Sequence, residues 1–125
     1  MIITVATVLA GLLGLGIIFI GVNAIRAPRV VAGFGIPHTP TEDPTMRSWL
    51  YVKAVRDIAT GLFLFLLMIA ATPQLLGGYL LVAALIPIGD ALIVLHSKGP
   101  KAAAYGVHGA TAAVMVVVGV LLLLG

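Results

Sequence analysis

Asp57, Asp90 and His108 stand in long apolar stretches of the sequence. An ionisable side chain is expensive there and marks a functional place by default. Two carboxylates that meet in a dry site resist both being charged. One then holds a proton while its neighbour can take one, which puts an acid and a base side by side. A nearby histidine can orient a substrate or relay the proton. Isomerisation, cyclisation and hydrolytic epoxide opening of a small lipophilic molecule would all suit such a pair, with no cofactor. The expected catalytic residues are Asp57, Asp90 and His108. Asn23, Lys53, Arg56, Tyr105 and Thr111 are the expected substrate-binding groups.

Other readings compete. Lys53, Arg56, Asp57 and Asp90 carry two charges of each sign, so they also read as a double ion pair gluing helices together. A proton-coupled transporter would use the same groups, but it needs polar lining on both sides. The stretches away from the charges are almost purely Leu, Val, Ile, Ala, Phe and Gly. A structural or assembly subunit would use its glycine-rich faces, as in "GLLGLGIIFIG" (Gly11 to Gly21), to meet a partner. A homodimer belongs to the same set of expectations.

The elements that position these groups follow from composition. The chain has 125 residues, 62% hydrophobic and 9% charged. A soluble domain is nearer half apolar and about a quarter charged. A chain this short cannot hide that excess in one core, so the partner is membrane lipid. The net charge of +3 is spread without a basic run, which argues against nucleic acid. Cysteine is absent, so thiolate metal sites and cysteine nucleophiles are excluded. No metal motif is present either.

Residues 2–25, 48–71, 73–96 and 101–124 read as four transmembrane helices in a single all-α domain, each exceeding the roughly 20 residues a span needs. Thr72–Pro73 is a cap followed by proline at the first helical position. Residues 27–47 form a long first loop, with an apolar piece around Val30 to Ile36 lying on the surface. All seven Lys and Arg residues sit in or beside loops 27–47 and 97–100. The positive-inside rule then makes both loops cytoplasmic and places both termini outside, in a multi-pass protein of the plasma membrane.

Depth follows from the helical rise. Asp57 lies about 12 Å beyond Trp49, Asp90 about 12 Å before Lys98, and His108 about 10 Å beyond Lys101. The three groups therefore share one level near the cytoplasmic end. Lys53, Asp57 and Gly61 share a helix face, and so do Lys101, Tyr105, His108, Thr111 and Met115. His96 falls off the Asp90 face. Pro87 removes a backbone donor and frees a carbonyl near Ala83.

"KAVRDIATG" (Lys53 to Gly61), "IPIGDALIVL" (Ile86 to Leu95) and "YGVHGATAA" (Tyr105 to Ala113) together resemble a family of small four-helix integral-membrane proteins of bacteria and fungi. That family is known only as a domain of unknown function and is distantly similar to the DoxX-like membrane proteins. The resemblance spans nearly the whole chain. It implies a four-helix bundle and no settled activity.

Overall fold

The computed structural model describes residues 1–125 and is entirely helical. Helix α1 runs Ile2–Arg26 and leads into a 3-10 segment, Pro28–Phe34. Helix α2 is Pro44–Ala70, α3 is Pro73–Ala83 and α4 is Leu85–His96. A short α5, Lys101–Ala103, passes into a π-helical segment, Ala104–Gly109, and then into α6, Ala110–Leu124.

Three stretches are long and apolar enough to cross a membrane: Ile2–Arg26, Pro73–His96 and Lys101–Leu124. The chain is a membrane protein on that ground, but the four-span bundle expected from the sequence is corrected to three spans. Helix α2 is long enough. However, every eighteen-residue window in it contains Lys53, Arg56 and Asp57 together, and charges clustered so densely are costly in lipid. The argument that put both termini on one side needed an even number of spans, so it falls with the count.

Local chemistry explains where the helices start and break. Asp43 caps α2: its Oδ2 accepts the Met46 N–H at 2.8 Å, with Pro44 at the first helical position. Residues 44–47 are thus helix where a loop was expected. Thr72 caps α3 in the same way, its hydroxyl oxygen accepting the Leu75 N–H at 3.2 Å. The helix is interrupted at Ala84, three residues before Pro87. Pro87 has no N–H to give the Ala83 carbonyl, so the ladder slips there and resumes in α4.

Packing relies on residues without bulk. Helices α1 and α2 lie antiparallel. A Cβ on Gly21 would meet the Ala54 carbonyl oxygen at 2.7 Å, and one on Gly61 would meet that of Gly14 at 2.8 Å. Helices α3 and α6 approach as closely, with the Gly119 carbonyl oxygen 2.7 Å from a Cβ on Gly77. Such contacts let helices associate where lipid competes for every apolar side chain. The tightest apolar cluster, including Ala6, Ala10, Leu64, Leu76, Leu80, Val118 and Leu122, ties all four of these helices together at one end. Toward the other end, where Arg26, Arg47 and Lys98 lie, cavities open between the helices.

Candidate functional site

The polar groups gather toward that end. A cavity of about 130 Å³ is lined by Lys53, Asp57 and Thr60 of α2, Pro87 and Asp90 around α4, His108 of the π segment and Thr111 of α6. Ile17 and Ile20 of α1, Phe34 of the 3-10 segment, Ala83, Ile86, Val107 and Met115 complete the wall. Asp57, Asp90 and His108 therefore face one space, although they come from three separate elements.

Only one ion pair forms inside it. The Lys53 Nζ donates to Asp57 Oδ2 at 2.7 Å, one helical turn apart on α2. The Asp57 side chain is 13% exposed and that of Lys53 40%. Arg56 points away. It is exposed and its guanidinium donates to the Val52 carbonyl at 3.3 Å. The chain's other ion pair joins Arg47 to Glu42, outside this site. Asp90 takes part in neither, and no hydrogen bond occupies its carboxyl group. The double ion pair that would make these charges mere glue is absent.

His108 is buried, 8% exposed. Its Nε2 lies 2.7 Å from the Phe34 carbonyl oxygen. A carbonyl only accepts, so Nε2 carries the hydrogen, and in the neutral ring Nδ1 keeps the free lone pair. The Phe34 and His108 rings lie 4.3 Å apart between centroids, and Lys53 Nζ sits 5.2 Å from the Phe34 ring centroid. Phe34 thus braces both a histidine and an ammonium, the latter through its π face.

The 3-10 segment that delivers Phe34 is held by Gly35. Its φ of 114° lies in the left-handed region, where glycine is free of the penalty a side chain imposes. A Cβ at Gly35 would also press within 3.0 Å of Val94 and Ala103 side chains. The backbone of Gly35 further sits against Gly99. Val30 and Ile36 of the apolar piece expected on the surface are exposed, whereas Phe34 within it turns inward to the cavity.

The π segment changes which residues accompany His108. Its wider turn carries one more residue per i→i+5 bond than an α-helix, and such insertions occur often at functional sites. Tyr105 ends up exposed while His108 is buried. The face predicted to hold both does not exist, so Tyr105 is not at the cavity. Asn23 is likewise displaced: it lines a neighbouring cavity of about 250 Å³ that also touches Phe34, Lys53 and His108. His96 is exposed.

Two further spaces adjoin. One of about 370 Å³, between the 3-10 segment, α2 and α4, is lined by Phe34, Lys53 and Asp90 among others. The other, about 340 Å³, extends along α1 and is walled almost wholly by apolar side chains. Tyr79 stands beside the latter and donates its hydroxyl to the Thr60 carbonyl at 3.1 Å. Phe34 and Tyr79 are the aromatic residues of these spaces that the sequence reading did not name. No three His, Asp or Glu side chains come together as a metal site requires.

Comparison with curated proteins and with solved structures returned no match. A family model does match, over residues 14–122, which takes in every residue lining the polar cavity. The chain belongs to that family, described as a domain of unknown function, DUF4267.

Proposed function

We propose that this membrane protein binds a small lipophilic molecule in the cavity between α2, α4 and the π segment and acts on it by acid–base chemistry. The observation that carries the reading is the unequal treatment of two carboxylates in one space. Asp57 is engaged by Lys53, whereas Asp90 has neither cation nor hydrogen-bond donor. Asp90 is thus the group free to take or give a proton. Asp57 is fixed as the partner of Lys53. His108 offers Nδ1 as a second acceptor. Isomerisation, cyclisation and hydrolytic opening of an epoxide are the reaction types that such a set can serve without a cofactor.

The cations support a cytoplasmic setting for this end of the protein, in the plasma membrane. Arg26, Arg29, Lys98 and Lys101 lie at or beyond the helix ends nearest the cavity, and Arg47 lies in the first turn of α2. Bacterial and fungal occurrence and the distant DoxX-like kinship stay with the sequence resemblance.

The test is the molecule that accompanies the purified protein. Organic extracts of wild type and Asp90→Asn, purified from the same membranes, are compared by mass spectrometry. A lipophilic compound enriched in wild type and lost or chemically altered in the variant supports the reading. Bulk phospholipid alone in both would overturn it.

A further inference from the structure

The apolar space along α1 extends this reading to the class of substrate, and the inference rests on the site proposed above. That chamber is not a separate feature. It shares Ile17, Ile20, Thr60, Ala83, Thr111 and Met115 with the polar cavity, so the two meet at a collar of six residues. Along α1 it reaches from Ile20 back to Leu9, about 16 Å at the helical rise. Leu9, Leu12 and Val114 line it and are exposed on the outer surface of the helices, so it opens sideways toward lipid. The shape is long and narrow, polar at one end only.

The hydrogen-bonding capacity left over at the polar end is mostly of one kind. Thr60 has given its hydroxyl hydrogen to the Arg56 carbonyl and Thr111 has given its own to the Val107 carbonyl, each at 2.7 Å. Only oxygen lone pairs remain on both. Asp90 as a carboxylate accepts and cannot donate, and His108 has committed Nε2–H to Phe34. Lys53 is the one donor left, with one of its hydrogens on Asp57. With Asp90 ionised, charge points the same way: Lys53 and Asp57 cancel, which leaves Asp90 unbalanced.

We infer that the ligand is a single-chain amphiphile whose head donates hydrogen bonds, an amine or an alcohol, with the head at Asp90 and the chain lying along α1 in the chamber. A carboxylate head fits poorly, because it would meet lone pairs and a like charge. Access is lateral, from the bilayer, between α1 and α6.

Gly16 makes the test clean. It lines the chamber, and a Cβ built on it meets nothing within 4 Å. Gly16→Leu therefore has room for its Cβ and is expected to place the branched end of its side chain in the chamber. Gly78 has equally open surroundings and does not line the chamber, so Gly78→Leu is the matched control. Binding of hexadecylamine, hexadecanol, palmitate and butylamine is measured on the full-length protein in lipid nanodiscs.

The amine and the alcohol are expected to bind at least about tenfold more tightly than palmitate, a difference of about 1.4 kcal/mol. Gly16→Leu is expected to weaken hexadecylamine about tenfold and leave butylamine unchanged, while Gly78→Leu changes neither. Palmitate binding as tightly as the amine overturns the head assignment. An unaffected long-chain affinity in Gly16→Leu overturns the chamber assignment. Asp90→Asn separates the two levels of argument: it should abolish the preference for the amine. If it leaves every affinity unchanged, the fault lies in the polar site itself and not in the chamber.

Discussion

Breaking the Lys53–Asp57 pair from its two sides should give unequal losses. Lys53→Met keeps the apolar stem and removes the charge. It strands Asp57, whose side chain is only 13% exposed, without a counter-ion. Removing one partner of a fully buried pair costs about 3–5 kcal/mol. Lys53 is 40% exposed, so part of that cost is already relieved by solvent, and about 2 kcal/mol is the figure expected here. Asp57→Asn leaves the more exposed member behind. Lys53 can turn its ammonium toward the membrane surface, so the expected loss is below about 1 kcal/mol. The pair itself adds little to helix stability, since a cation preceding an anion at i, i+4 is the weaker order. The double variant should therefore recover most of what Lys53→Met loses. Unfolding of the four proteins in one detergent, followed by circular dichroism, gives the cycle directly. Equal losses from the two single variants would refute the reasoning, because they would mean that the pair acts as glue and not as a means of holding one carboxylate in place.

Other expectations follow from packing and from one long-range hydrogen bond. Gly61→Ala puts a Cβ 2.8 Å from the Gly14 carbonyl oxygen and 2.9 Å from Ile17 Cγ2, so α1 and α2 must separate. The expected loss is about 1–3 kcal/mol in the same unfolding assay, with Gly78→Ala near neutral. Tyr79→Phe removes the hydroxyl that reaches the Thr60 carbonyl, and the loss should be about 0.6 kcal/mol, as for hydrogen bonds between membrane helices.

The sequence was informative where the cause was local. Lys53 and Asp57 one turn apart and the Thr72–Pro73 helix start follow from residue type and spacing, and each is present in the structure. Residues 73–96 read as one helix with a carbonyl freed by Pro87, and the structure breaks it at Ala84 into two. Asp43–Pro44 carries the same signal as Thr72–Pro73 and could have been read as the start of α2. The convergence of Asp57, Asp90 and His108 was visible as equal depth on separate segments, and one cavity holds all three.

What could not be read depends on the third dimension. Phe34 sits in a stretch rich in glycine and proline, and only the docking of Gly35 against Val94 and Ala103 turns it inward. The π segment parts Tyr105 from His108, and no residue type in "AYGVHG" announces it. The number of spans was misjudged because length was counted before charge: α2 has the reach of a span but carries three charges within five residues.

Cysteine pairs offer the most direct measurement of the central claim, that Asp57 and Asp90 face one shared space. The chain contains no cysteine of its own. A protein carrying Asp57→Cys and Asp90→Cys is treated in nanodiscs with a short bifunctional thiol reagent, and the link is located by peptide mass spectrometry. The account predicts an intramolecular Cys–Cys link in this protein and none when Arg56→Cys replaces Asp57→Cys, since Arg56 faces outward. Failure of the first pair to join, or joining of both pairs alike, would contradict it.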